Sequence, residues 1–264
     1  MFPYFYLFNK QITMYSVMTL IGVFLCGFIA CKLIKKETND TYNMIILLLI
    51  SAIGVFIGGH ILYGITNIEF IIRLFSHLNV IDSFKNVIDV FIYIFGGSVF
   101  YGGLLGGMFV GSLYIKKKEL EKRIYCDICA IIIPLFHTFG RIGCFLVGCC
   151  YGIESKIGFT YTKALVESAN GVNRFPVQLL EASLNFIIFW ALFILYKRKK
   201  YQGKLLYIYL ISYAIIRFIL EFLRGDSYRG LFFGISTSQI ISIGIILICF
   251  INLAKNRTNT RFEG

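Results

Sequence analysis

Seven stretches of this chain are apolar over roughly the 20 residues that a helix needs to cross a bilayer. They run Ile12 to Cys31, Asn43 to Tyr63, Val90 to Ile115, Ile124 to Val147, Val177 to Tyr196, Leu205 to Leu223 and Gly234 to Ala254. In hydrocarbon each backbone polar group must be satisfied within the protein, so long apolar runs of this kind can only be helices. The expected fold class is all-α integral membrane, with seven transmembrane helices in a single helical domain over residues 1–264. Composition agrees. Charged residues make up 15% of the chain, against about 25% in soluble domains, and three prolines are too few for a disordered or fibrous class.

A net charge of +12 would suggest nucleic acid in a soluble protein. Here the cations flank apolar blocks, as membrane topology requires, and no basic face with interleaved aromatics stands apart from such a flank. No nucleic-acid partner is expected. Of the 26 basic residues, sixteen cluster on alternate connections: Lys32, Lys35 and Lys36; Lys116 to Lys118, Lys122 and Arg123; Lys197 to Lys200 and Lys204; Lys255, Arg257 and Arg261. The positive-inside rule assigns these to the cytoplasm, which puts the N-terminus outside and the C-terminus inside. The first apolar run carries its positive charge behind it, unlike a cleavable signal.

The long connections then face outward. One, over residues 64–89, sets Ile68, Ile71, Ile72, Phe75 and Leu78 at helical spacing, with Glu69, Arg73 and Lys85 off that stripe. It reads either as an amphipathic arm on the outer leaflet or as a packed loop. The other covers residues 148–175 and is polar. Glycine pairs at Gly58-Gly59, Gly96-Gly97, Gly102-Gly103 and Gly106-Gly107 mark close helix contacts or bends.

Two arginines lie within spans. A cation near the bilayer centre costs about 2.5–3.5 kcal/mol on the insertion scale, so each is a functional hypothesis. Arg141 sits toward the outer end of the fourth span, with His137 one turn away on the same face. Arg217 sits in the sixth, where Arg217, Glu221 and Arg224 share one face. Arg217 and Glu221 can form an internal ion pair that pins helices together. Alternatively, three arginines against one carboxylate leave surplus positive charge, which suits a phosphate. An anion reaching this depth is most simply a phospholipid head group.

Cys144, Cys149 and Cys150 follow Arg141. Adjacent cysteines seldom bond each other, so a disulfide would join Cys144 to one of them, or use Cys126 or Cys129. A zinc site is a further reading, although these three lack the paired spacing of common zinc sites. Cysteine as small apolar filler is the remaining reading. His60 and His77 read as hydrogen-bonded packing residues, and His137 equally as packing or chemistry.

Four motifs in chain order resemble the prolipoprotein diacylglyceryl transferase family. Gly96 to Gly106, GGSVFYGGLLG, is similar to the family's G-G-x-x-x-H-G-G-L-x-G. Gly140-Arg141-Ile142-Gly143-Cys144-Phe145 is similar to G-R-x-G-N-F, with Gly152 as the closing glycine. Phe175 to Glu181, FPVQLLE, is similar to H-P-S-Q-L-Y-E, and Arg217 to Arg224 to R-x-x-x-E-F-x-R. The resemblance implies a bacterial plasma-membrane enzyme with a seven-span fold and neither metal nor other cofactor. Its partners would be phosphatidylglycerol, prolipoprotein signal peptides and membrane lipid. It would transfer a diacylglyceryl group to a lipobox cysteine thiol, releasing glycerol 1-phosphate.

On that resemblance Arg141, Arg217, Tyr101 and His137 are the catalytic candidates. Arg141, Gly102, Gly103, Gly143, Glu221, Arg224 and Gln178 are the substrate-binding ones. The chain departs from the family's pattern around its arginines. Tyr101 stands for the histidine before G-G, Cys144 and Val147 for asparagines, Cys149 for a glutamate, Phe175 for the histidine of H-P-S-Q, Gly225-Asp226 for Pro-Asp, and His60 for an arginine. His137 is the candidate replacement base. A paralogue that moves the same donor group to a different acceptor, through redox-active or acylated cysteines, is a second reading. An anion transporter is a third, and the inverted repeats that often mark one are not evident.

Overall fold

The computed structural model describes residues 3–68, 90, 96–226, 231–232 and 235–262. Among them are seven α-helices: α1 Met14–Glu37, α2 Thr41–Thr66, α3 Phe100–Lys117, α4 Lys122–Val147, α5 Val177–Lys197, α6 Leu205–Leu220 and α7 Thr237–Phe262. Six are long and apolar enough to cross a membrane when α6 is counted with the 3-10 turn Glu221–Leu223 that continues it. The exception is α3. It begins at Phe100, ten residues after the expected start at Val90, because residues 96–99 are not helical. That entry is held to α2 by the bond from Val99 N to Gly59 O, at 3.1 Å. Most of the expected outer arm, residues 69–89, lies outside the described residues.

The chain divides into two units, one of residues 1–39, 122–228 and 238–264, the other of residues 40–121 and 229–237. In the first, α4 is the central helix and packs on α1, α5 and α6. Its interior Pro134 gives up a backbone donor. Thr138 Oγ1 bonds back to Pro134 O at 2.9 Å and reaches Ala182 O on α5 at 3.3 Å. Gly143 lets Tyr15 of α1 lie close, since a Cβ there would sit 3.0 Å from the ring. At the opposite end of α4, buried Asp127 accepts from Gly203 N at 2.5 Å and Leu205 N at 3.2 Å. It thereby caps α6 across a helix interface and satisfies donors that a helix start leaves open.

In the second unit α2 and α3 pack backbone to backbone. A Cβ on Gly58 would strike Gly102 O, one on Gly102 would strike Gly58 O, and one on Gly106 would strike Gly54 O. Two facing small-xxx-small stripes, Gly54/Gly58 and Gly102/Gly106, thus bring the helices to contact. Tyr114 Oη on α3 donates to Asn43 Oδ1 on α2 at 2.7 Å.

Three small antiparallel pairs complete the described chain: β1 Tyr4–Leu7 with β2 Lys10–Thr13, β3 Glu154–Thr160 with β4 Asn173–Arg174, and β5 Leu231–Phe232 with β6 Ile235–Ser236. The first turns at Phe8 and Asn9, φ 48° and 59°, the mirror-type turn that matches strand twist. The β3–β4 segment is folded around Tyr151, Tyr161 and Ala169, with the Arg174 guanidinium 4.2 Å from the Tyr151 ring centroid.

Candidate active site

Arg141 lies nearly two turns before the end of α4, and His137 one turn before it. Both are buried, at 7% and 4% exposure, as is Glu181 of α5 at 2%. Arg141 Nε donates to His137 Nε2 at 3.2 Å and forms an ion pair with Glu181 Oε2 at 3.0 Å. His137 Nε2 is 3.5 Å from Glu181 Oε1. Tyr213 of α6 donates its hydroxyl to that oxygen at 3.4 Å and lays its ring edge-on to the imidazole, with centroids 5.0 Å apart. An imidazole that accepts at Nε2 fits the neutral ring with its proton on Nδ1. Three helices therefore hold one guanidinium in a fixed orientation.

Arg217 Nη2 of α6 is 2.7 Å from Glu221 Oε2 and donates to Ser238 Oγ of α7 at 3.2 Å. Its Nη1 is buried and has no hydrogen-bond partner among the described residues. The expected ion pair is present, and a donor remains over. Arg224 lies past the 3-10 turn and grips Asp226 with two bonds, Nε to Oδ1 at 2.9 Å and Nη2 to Oδ2 at 2.5 Å. The expected surplus of positive charge is therefore corrected. Arg141, Arg217 and Arg224 face Glu181, Glu221 and Asp226, so the cluster is balanced and offers oriented donors instead of net charge.

The cysteines gather beside this cluster. Gly148 ends α4 with φ +78°, and Cys150 takes φ +55°, a region where side chains are uncommon. The turn folds Cys149 and Cys150 back onto Cys144, and the three sulfurs lie within 4.8 Å of one another. All eight cysteines carry free thiols, so none of the possible disulfides is formed. Tyr151 to Ile153 then pairs with Leu223 to Gly225, through Ile153 N to Leu223 O and Gly225 N to Tyr151 O, both 3.0 Å. This pairing brings Cys150 near Arg224. Hydrogen bonds from Cys144 and then Cys149 hold the Cys150 thiol well below its ordinary pKa range, with Arg224 and Arg141 acting in the same direction.

Gln178, expected at the substrate, is turned inward. Its Nε2 donates to Cys149 O at 2.8 Å and to Tyr161 Oη at 3.2 Å, which braces the cysteine turn. Tyr101, Gly102 and Gly103 belong to α3 in the other unit. Tyr101 is buried, and the missing Cβ of Gly102 and of Gly103 is accounted for by α2. His60 packs edge-on to Phe56 at 4.4 Å.

Two carboxylates of the cluster are not evident from the sequence as partners of its arginines. Glu181 is visible there only as the last residue of a motif, although a glutamate five residues into an apolar span is itself a signal. Asp226 follows the last arginine of its motif by two residues.

The sequence profile of the prolipoprotein diacylglyceryl transferase family matches residues 3–255. A phosphatidylglycerol–prolipoprotein diacylglyceryl transferase of Clostridium tetani (strain Massachusetts / E88) is 33% identical over 92% of this chain and 93% of its own length. A phosphatidylglycerol–prolipoprotein diacylglyceryl transferase 2 of Clostridium perfringens (strain 13 / Type A) is 33% identical over 96% of each chain. The protein of that name, without the numeral, from Campylobacter hominis is 32% identical over 98% of this chain and 93% of its own. Matches of this extent cover both units and every residue of the buried cluster, and on them the chain belongs to the prolipoprotein diacylglyceryl transferase family.

Proposed function

We propose that this protein moves the diacylglyceryl group of phosphatidylglycerol to the lipobox cysteine thiol of prolipoproteins and releases glycerol 1-phosphate. It would do so as a multi-pass protein of the bacterial plasma membrane, one domain with its N-terminus outside and its site open to the outer leaflet. The observation that carries the reading is the buried set Arg141, His137 and Glu181 beside Arg217 and Glu221. Donors already oriented in a water-poor site stabilise charge developing on a leaving phosphate, at no cost of reorganisation during the reaction.

Arg141 would hold the lipid phosphate. Arg217 would meet the leaving oxygen with Nη1, the donor left over after Glu221 and Ser238 are served. Glu221 and Glu181 orient the two guanidiniums, and Arg224 closes the outer end. His137 acts through Arg141 as a positioning residue, because its Nε2 is already accepting from that guanidinium. Tyr101 keeps a catalytic assignment as a neutral hydrogen-bond donor, since a phenol of pKa about 10 is a poor base near neutrality. The thiolate attacks the glyceryl carbon, the carbon–sulfur bond forms, and the carbon–oxygen bond to phosphate breaks.

The test is mass spectrometry of a lipobox peptide incubated with purified protein and phosphatidylglycerol. A diacylglyceryl mass gain, absent with Arg141→Ala, is expected. Folded wild-type protein that binds the lipid and yields no gain overturns this acceptor and directs the search to another.

A further inference from the structure

We infer that the groove between α1 and α5 is a binding site for an acidic phospholipid of the inner leaflet, with an acyl chain along its aromatic wall and the phosphate at Lys32, Lys36 and Lys197. The choice of leaflet rests on the orientation proposed above. The groove ends at the opposite end of α5 from Glu181 and stands apart from the transfer reaction.

Helices α1 and α5 both pack on α4, and Leu135 of α4 floors the seam between them. Phe28, Lys32 and Lys36 stand four apart on α1, and Phe186, Trp190, Phe193 and Lys197 stand three or four apart on α5. Residues so spaced share one helix face, so each helix offers the groove an apolar stripe that ends in lysine. From Phe186 to Lys197 the groove runs about 16 Å, at about 1.5 Å per residue. One leaflet supplies half of a hydrocarbon core about 30 Å thick, so the groove has the length of one acyl layer. Its volume of about 460 Å³ lies in the range of ligand sites, roughly 300–1,000 Å³. Along α5, Phe186, Phe189, Trp190 and Phe193 form a continuous wall of rings, with neighbouring centroids 5.3 to 6.2 Å apart.

Charge at the inner end selects the occupant. Lys32 Nζ lies 5.9 Å from the Phe28 ring centroid and Lys197 Nζ 5.5 Å from that of Phe193, so both ammoniums sit where the aromatic wall stops. No ion pair among the described residues involves Lys32, Lys36 or Lys197. Glu37, the one carboxylate in the inner half of either helix, accepts from Tyr196 Oη at 3.0 Å and ties α1 to α5 there. A basic pocket between transmembrane helices on the cytoplasmic side suits an anionic head group. A signal peptide carries the opposite charge at that depth, because its positive n-region lies on the cytoplasmic side of its apolar run, and three lysines repel it. A zwitterionic head group brings a cation with its phosphate and gains less. The bound chain fills the seam that α4 leaves between its two neighbours, so acidic lipid stabilises the fold by mass action.

Trp190 is the chain's single tryptophan, so tryptophan fluorescence reads this groove alone. The test uses whole purified protein in an uncharged detergent at low ionic strength, titrated with phosphatidic acid whose brominated acyl chains quench a tryptophan they touch. Half-quenching is expected at a mole fraction about tenfold or more below that of brominated phosphatidylcholine. Lys32→Gln, Lys36→Gln and Lys197→Gln should each weaken the acidic lipid about fivefold, and the triple variant roughly a hundredfold. Acidic lipid should raise the melting temperature of the wild type and not of the triple variant. The Arg141→Ala, Glu181→Gln double variant, which removes the other proposed phosphate site, should be quenched as the wild type is. Equal quenching by the two lipids, or unchanged affinity in the triple variant, overturns the site. Displacement of the brominated lipid by a lipobox signal peptide overturns the lipid as its occupant. The lysine variants should keep full diacylglyceryl transfer at saturating phosphatidylglycerol, and a loss there would overturn the groove's separation from the reaction. Selective quenching in wild-type protein that transfers nothing would instead overturn the proposed function and leave this site in place.

Discussion

The two units meet the same demand, helix association without help from water, with opposite chemistry. In α2 and α3 the contact is bare backbone, where Gly58 and Gly102 each face the other's carbonyl oxygen. In α4 and α5 the contact runs through buried ions, with Arg141 against Glu181, and α6 carries its own buried pair, Arg217 with Glu221. Lipid removes the hydrophobic drive between helices, so close van der Waals packing is the economical solution. Buried ion pairs are poor glue, because desolvation consumes most of what attraction supplies. The chain packs one unit by glycine and places three arginines and three carboxylates in the other, a difference that fits the chemistry proposed above. One region is arranged for contact, the other, on that proposal, for reaction.

The largest expected effect breaks the second half of that contrast. Arg141→Ala should lower transfer by about 10²–10³-fold, the usual cost of one preorganised donor. It should also destabilise the protein, because Glu181 is left buried without its partner, at about 3–5 kcal/mol. Adding Glu181→Gln should restore thermal stability in detergent while transfer stays low. Recovery of both together would make the pair structural. Next, Gly102→Leu drives a side chain into α2, and overpacking of that kind costs about 1–3 kcal/mol. Transfer per folded molecule should stay near wild type. A rate loss with unchanged melting would mean that the glycine stripe serves the substrate directly.

His137 gives a sharper, smaller test. A general base contributes about 10²–10⁴-fold and tolerates neither alanine nor glutamine. A positioning residue that accepts from Arg141 predicts that His137→Gln recovers most of the kcat that His137→Ala loses, with KM following the same order. Equal loss in both variants would restore the base. At the small end, a Cβ at Gly27 of α1 meets nothing within 4 Å, so Gly27→Ala should change stability by no more than about 0.5 kcal/mol. A large effect would show that glycine matters in the first unit too.

The same division governs how much of the molecule is legible in the chain. Features set along one helix are legible. The apolar runs give most helix bounds to within a few residues, apart from the late start of α3 and the polar ends of α1 and α7, which run on six and eight residues past the apolar stretch, and positions four apart give the His137–Arg141 and Arg217–Glu221 pairs. Features set between elements are not. Glu181 reaches Arg141 from another helix, and the charge count is unbalanced without it and Asp226. The β1–β2 and β3–β4 pairs are too short, and β1 too evenly apolar, for alternation to register. The meeting of three sulfurs depends on two left-handed residues, Gly148 and Cys150, and only the glycine announces itself.

The Asp127 cap has a consequence that is angular. Each residue added to a helix turns the remainder of that helix by about 100°. Asp127 pins the backbone at Gly203 and Leu205 to α4, and Arg217 stands twelve residues beyond Leu205 on α6. The cap therefore sets the phase of α6, and with it the compass bearing at which Arg217 emerges. One residue inserted between Leu205 and Arg217 would leave every contact at the cap in place and point the arginine at a different neighbour.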